Sequence, residues 1–255
     1  MGTTDRQVNQ AGAQSQEMRA ITVSRLYGSG GGEVAARLAR RLGWHLVDHE
    51  VVVRVARALG ITQEEAEARD EQVQGLVERL ISSMAMAYPS MNLETPPIPT
   101  VQSSTYQEAL RRVIVAALDE GHVVIVGRAG QSILADRRDV LRVLVVAPLE
   151  ARVRYVAQRE GLDDTAARRR IEEKDRDRAR YLHERFGHHA TDPLLYDLVV
   201  NTGVLTLDDT VDLICQALER KGARLGASLD QLGPGAGLGG YPGRPEDVPS
   251  PTDVG

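Results

Sequence analysis

Short apolar runs alternate along the chain with longer stretches in which apolar residues recur every three or four positions. The runs at 21–24, 45–47, 123–126, 141–146 and 198–200 are each rich in Val, Ile or Leu. Strands of that kind are covered on both faces, as in a parallel sheet. Between them lie helical patterns. From Glu33 to Leu42 the residues Val34, Leu38 and Leu42, with Ala35 and Ala39, form one face, leaving Arg37, Arg40 and Arg41 outward. Another helix runs from Leu149 to Arg159 and ends at Gly161, and a further one opens at Asp163 or Asp164. Strands separated by helices predict an α/β fold with helices on both faces of the sheet.

The interval 48–121, between the second and third strands, breaks that rhythm. It holds an apolar segment closed by Gly60, a capping box from Thr62 to Glu65, and then Val73, Leu76, Val77, Leu80, Ile81 and Met84 at helical spacing. After Pro96-Pro-Ile-Pro99 another helix begins near Thr105, boxed by Glu108, and continues to Gly121 with Tyr106, Leu110, Val113, Ile114, Ala117 and Leu118 inward. A simple crossover needs far fewer residues. The interval is therefore expected to be an inserted helical subdomain, either binding substrate or forming a cover or a homodimer surface. Residues 1–17 are rich in Gln, Thr and Gly, and 222–255 in Gly and Pro, so both are expected to be disordered tails outside a domain at 18–221.

Composition narrows the function classes. With 42% hydrophobic and only 4% aromatic residues among 255, a sizeable core must be built from aliphatic side chains. A net charge of -5 lacks the basic footprint of a nucleic-acid-polymer binder. The single cysteine, Cys215, can form no intramolecular disulfide, and its place beside Val211, Ile214 and Leu218 points to packing. The polar first nineteen residues and the absence of a bilayer-length apolar run lead to the expectation of a cytoplasmic protein without a membrane partner.

Candidate chemistry begins where the first strand meets Gly28-Ser29-Gly30-Gly31-Gly32 and then a helix. Backbone N–H groups freed by glycine, together with the positive helix end, suit a phosphate. In the motif G-x-x-x-x-G-K-[ST] a lysine and a hydroxyl complete such a loop. Counting from Tyr27 places Glu33 and Val34 there, and counting from Gly28 places Val34 and Ala35. Neither register contains the lysine, and the chain has only Lys174 and Lys221. A phosphate-binding cation must then come from Arg25, just before the loop, or from the basic segment around Lys174. Two other readings compete: a dinucleotide loop, Gly30 to Ala35 as G-x-G-x-x-A with Asp48 as the ribose acid, and a flexible turn without a ligand.

Further along, Gly127-Arg128 closes the third strand, placing a guanidinium where open α/β sheets bind ligands. Its fork suits a phosphate, although a surface ion pair would use it equally well. The charged helix from 163 sets Lys174, Arg178 and Tyr181 on one face and Ile171, Asp175 and Leu182 on the next. Such a helix is either solvated and laced with ion pairs or closes over a phosphate. His188 and His189 are adjacent without a third metal ligand and are expected to be exposed.

Taken in order, Ile21-Thr-Val-Ser-Arg25-Leu-Tyr-Gly-Ser-Gly-Gly31, the strand ending at Gly127-Arg128, Asp175-x-x-Arg178-x-x-Tyr181 and Tyr196-Asp-Leu-Val-Val-Asn-Thr202 resemble the cytidylate kinase-like family. This family is a divergent branch of the P-loop nucleoside monophosphate kinases, and the resemblance covers 20–218. It implies a three-layer P-loop kinase-like fold with a five-stranded parallel sheet, a helical monophosphate-binding insertion at 48–121 and a lid at 160–192. It implies ATP at Gly28, Ser29, Gly30, Gly31, Gly32 and Glu33, an acceptor at Arg128 with Asp48, and cations from Arg25, Lys174 and Arg178. Mg²⁺ is implied by the chemistry, with Ser29 and Asp48 as candidate ligands. The chain departs from the family's kinases in lacking the loop lysine, in carrying Ala129 where they have an Asp, and in matching only part of the lid pattern. The expected function is ATP-dependent phosphoryl transfer to a nucleoside monophosphate or similar small acceptor. The alternatives are a catalytically weak nucleotide-binding regulatory module and, third, an NAD-type oxidoreductase.

Overall fold

Each of the five apolar runs forms a strand in the computed structural model, which describes residues 17–48, 111, 114–127, 129–228 and 231–233. The order is β1 (Ala20–Arg25), α1 (Gly31–Leu42), β2 (His45–Val47), β3 (Val123–Val126), α2 (Gly130–Ile133), β4 (Val140–Val146), α3 (Leu149–Glu160), α4 (Asp164–Phe186), β5 (Leu198–Asn201) and α5 (Leu207–Gly222). A 3₁₀ turn, Pro193–Leu195, precedes β5, and residues 114–120 are helical before β3. The strands make one sheet in the order β2-β3-β1-β4-β5, and every pairing is parallel. All five carboxyl ends therefore lie along one edge. β1 is central, with β3 on one side and β4 on the other, which places the ligand crevice of such a sheet at the end of β1.

Strand alternation divides the core. Ile21 and Val23 join Val34, Leu38, Val143, Val211 and Ile214 under α1 and α5, while Ala20 joins Ile114, Leu118, Ile125 and Leu134 on the opposite face. Cys215 packs half-buried against the first of these clusters. A third cluster, Val153, Val156, Ala167 and Ile171, joins α3 to α4, with Tyr27 packed against it. This contact brings the charged α4 against the loop that follows β1.

The expected chain boundaries are partly adjusted. Asp163 caps α4 as anticipated, accepting from the Ala166 N–H at 2.8 Å. Folding continues past the boundary expected at Lys221: Leu225 is buried in the same cluster as Met18, and Arg138 donates to the carbonyls of Arg224 and Ala227. The tail at 1–16 and nearly all of the insertion, residues 49–110 and 112–113, lie outside the described residues. So do the homodimer surface assigned to that insertion and residues 234–255 of the other tail. No helix among the described residues is long and apolar enough to cross a membrane.

Asp197 ties the start of β5 to the rest of the fold. It accepts from the Arg142 N–H at 2.8 Å and Nη2 at 3.0 Å, and from Lys221 Nζ at 2.6 Å. Burial pushes its carboxyl up, but the hydrogen bonds from Arg142 and Lys221 outweigh this and hold it below the ordinary 3.8. A depressed value in the folded state stabilises above the unfolded value, and the benefit is lost as pH falls through the folded one. At pH 7 the urea midpoint of Asp197→Asn is expected to lie below that of the wild type. The difference should shrink as the pH drops below about 4, and a gap that is the same at both pH values would contradict this role.

Candidate phosphate-binding site

β1 ends at Arg25 and α1 begins at Gly31, so the glycine run forms a tight strand-to-helix turn. Gly30 caps the helix in the left-handed conformation at φ 78, where a side chain is strained. A Cβ there would also lie 2.8 Å from Leu207 Cδ2. Among the described residues, the N–H groups of Gly28, Gly30, Gly31, Gly32 and Glu33 donate to no acceptor, whereas the Ser29 and Val34 N–H groups bond to Leu26 and Gly30 carbonyls. The turn thus presents unengaged donors at the positive end of a twelve-residue helix, the arrangement that binds phosphate.

The helix start also corrects the motif count. In the strand–loop–helix motif the last glycine precedes the helix and the first closes the strand. With Gly30 as the last, position one is Arg25, the lysine position is Gly31 and the hydroxyl position is Gly32. Counting from Tyr27 or Gly28 missed this register because its first position holds arginine.

The loop is fastened from both sides. Tyr27 N–H donates to Asp175 Oδ1 at 2.7 Å, and Asp175 Oδ2 pairs at 2.6 Å with Arg152, which also donates to the Tyr27 carbonyl. The Tyr27 hydroxyl donates to Glu160 at 2.6 Å, and Arg170 pairs with the same carboxylate. Burial, followed by the bond to Glu160, pushes the Tyr27 phenol up. On the other side Thr202 Oγ1 donates to the Ser29 carbonyl at 2.8 Å.

Of the expected cations, Arg25 and Arg178 meet at the loop. Arg178 Nη1 donates to the Arg25 carbonyl at 3.3 Å, and the guanidinium lies 5.2 Å from the Tyr27 ring centre. Burial pushes the Arg178 pKa down, partly opposed by Asp175 and Tyr27. The Arg25 stem crosses Gly31, whose Cβ would stand 2.6 Å from Arg25 Cβ, and its guanidinium abuts Gly127 at the end of β3. Lys174 sits one turn before Arg178, half-buried, and makes no hydrogen bond or ion pair among the described residues. Arg128 lies outside the described residues. Ala129, beside it, has φ 54, a conformation costly for a residue with a Cβ.

Other expected roles change. Ser29, a candidate magnesium ligand, turns its hydroxyl into the sheet, 2.9 Å from the Leu26 carbonyl and 3.0 Å from that of Val145, and is buried. Its hydroxyl and N–H are both engaged within the fold and its carbonyl accepts from Thr202, so Ser29 shapes the turn rather than meeting a ligand. Glu33 offers its N–H, but its carboxylate is drawn off by Tyr155 at 2.6 Å and by Arg159, which removes a negative charge from a phosphate's path. Burial and then Glu33 push the Tyr155 phenol up. Asp48 stands half-buried at the end of β2, with β3 between it and β1. That order undoes the dinucleotide reading, because a ribose acid there follows the strand adjoining the glycine loop. His188, expected to be exposed, is half-buried, with Nδ1 3.0 Å from the Ser132 hydroxyl, and His189 stacks on His183. No metal-ligating cluster of three His, Cys, Asp or Glu occurs among the described residues. The donor set fits an anion.

Asp175, Arg152, Tyr27 and Thr202 join the site in clamping roles not expected of them, although Tyr27, Asp175 and Thr202 fall within the strings that carry the family resemblance. Periodicity puts Asp175 only on the inward stripe of its helix. The signal that marks it is a carboxylate interrupting an apolar face between Ile171 and Leu182.

Comparison with known proteins follows the same span. The model of the cytidylate kinase-like family matches residues 20–204. A protein named cytidylate kinase from Methanopyrus kandleri is 30% identical over 208 residues, covering 78% of this chain and 92% of its own. Another of that name from Staphylothermus marinus is 26% identical over 210 residues, covering 80% and 98%. Among solved structures, an uncharacterized protein from Eubacterium ventriosum superposes with a TM-score of 0.58 at 20% identity, covering 79% of this chain and 98% of that one; this likeness concerns the fold alone.

Proposed function

The chain belongs to the cytidylate kinase-like family, and from that premise we propose that it is an ATP-dependent phosphotransferase acting on a nucleoside monophosphate or a similar phosphate-bearing small acceptor. The observation that carries this reading is the set of unengaged N–H groups at Gly28 and Gly30 to Glu33, flanked by the Arg25 and Arg178 guanidinium groups. The relatives named cytidylate kinase support the nucleotide kinase class.

Transfer is in line: an acceptor phosphate oxygen bonds to the γ-phosphorus as the bond to the β–γ bridging oxygen breaks and ADP leaves. The protein positions two anions and neutralises the charge spreading over the moving group. The glycine-loop amides would hold the donor phosphates. Arg128, next to Gly127, is assigned to the acceptor phosphate, with Asp48 at the neighbouring strand end. Arg178 and Lys174, carried by α4, would complete the charge and exclude water. Mg²⁺ would neutralise the donor phosphates and be held mainly by them and by water, since Gly32 occupies the motif's hydroxyl position and Asp48, expected as a ligand, lies beyond β3 from the glycine loop.

Arg178 offers the kinetic test. Arg178→Ala is expected to lower kcat tenfold or more, a cost of about 1.4 kcal/mol or above in the transition state, with ATP binding less affected. Arg178→Lys should recover only part of this, because a point charge cannot reproduce a two-pronged contact. Wild-type turnover by a folded Arg178→Ala protein would remove α4 from the reaction.

Gly31 in the lysine position favours a second reading, a nucleotide-binding regulatory module that has lost turnover. ATP affinity without ADP production in the presence of any nucleoside monophosphate would establish it.

A further inference from the structure

We propose that Arg25 and Gly31 have exchanged roles within the phosphate loop, so that the cation normally placed first on the helix is supplied from the end of β1. This rests on the phosphotransferase reading and names the residue that serves in place of the missing lysine. The register puts arginine in the position of the motif's first glycine and glycine in that of its lysine.

The two substitutions are sterically linked. A Cβ on Gly31 would lie 2.6 Å from Arg25 Cβ and 3.2 Å from its Cγ, distances that leave no room for both side chains. A side chain at one position thus requires glycine at the other. The far end of Arg25 is accommodated in the same way, because a Cβ on Gly127 would meet its guanidinium. Two close approaches therefore route one arginine across the first helical turn, past the unengaged amides, to the end of β3. That path lies between the donor loop and the strand assigned to the acceptor. Arg178 holds the Arg25 carbonyl at 3.3 Å, securing the backbone from which the side chain departs. A guanidinium there can contact phosphate oxygens from two prongs, a suitable replacement for an ammonium group on the helix.

Variants at these two positions test the exchange, with ATP affinity by calorimetry, ADP release with nucleoside monophosphates and thermal melting as readouts. Arg25→Gly is expected to lose about a hundredfold in kcat, the usual scale for removing one preorganised charge contact, while melting cooperatively. Gly31→Lys alone should do no better, since Arg25 still fills the space. Arg25→Gly combined with Gly31→Lys should regain at least tenfold over Arg25→Gly. Arg25→Lys should retain more activity than Arg25→Met, since both preserve the stem across Gly31 and only one preserves charge. A double variant that folds but recovers nothing would overturn the exchange, as would equal activity of Arg25→Lys and Arg25→Met. Should the wild type bind ATP without turnover, phosphoryl transfer fails, and the same comparisons made on ATP affinity still decide the exchange. A wild type that binds no ATP overturns both.

Discussion

Asp175→Ala should lower the unfolding free energy by about 3 kcal/mol, the cost of removing one partner from a largely buried ion pair. Arg152 is 10% exposed and Asp175 22%, so neither charge is well served by water once the other is gone. The substitution also takes the acceptor from the Tyr27 N–H, leaving a backbone donor without its partner. Asp175→Asn should cost less, because it keeps an acceptor near Tyr27 while losing the charge opposite Arg152. Urea denaturation measures both. Combining Asp175→Leu with Arg152→Met should be less damaging than the two single costs added together, since the double change leaves no unpaired charge. A loss below about 1 kcal/mol in Asp175→Ala, the range of exposed pairs, would show that this clamp does not anchor the glycine loop.

Gly32→Asp should act in the opposite sense on stability and on binding. A Cβ at Gly32 meets nothing within 4 Å, so the fold tolerates the side chain. A carboxylate in the first turn of α1 favours the helix by about 0.3–1 kcal/mol, and losing glycine reduces the freedom of the unfolded chain. The melting temperature should hold or rise. The same charge lies among the amides assigned to the ATP phosphates, so ATP affinity should fall by a hundredfold or more, about 2.7 kcal/mol. A merely structural turn would show the first effect without the second. Unchanged ATP affinity in the folded variant would therefore remove the glycine loop from the donor site.

The sheet was legible because its strands are apolar on both faces, and short runs of that kind between helical patterns form buried parallel strands. The glycine-rich strand-to-helix turn was equally visible from Gly28 to Gly32. Its register was not. Counting for a motif assumes a glycine first, and only the observed helix start at Gly31 placed Arg25 in that position. Ser29 differs from its expected role for a related reason: a hydroxyl beside glycines suggests a ligand, but the tertiary fold sets it against the carbonyls of Leu26 and Val145, the second of them 116 residues away. The Asp175 clamp was hidden because its partners, Tyr27 and Arg152, are 148 and 23 residues away, and no local pattern links them. Strand order, too, is a tertiary fact. With β3 between β1 and β2, Asp48 cannot adjoin the glycine loop as the spacing alone suggested.

Phosphoryl transfer is tested most directly by ADP release from ATP and Mg²⁺ in the presence of each nucleoside monophosphate in turn. The expected result is saturable release that depends on at least one acceptor, with the acceptor recovered as the nucleoside diphosphate. ATP binding accompanied by no acceptor-dependent release across the whole panel would contradict it.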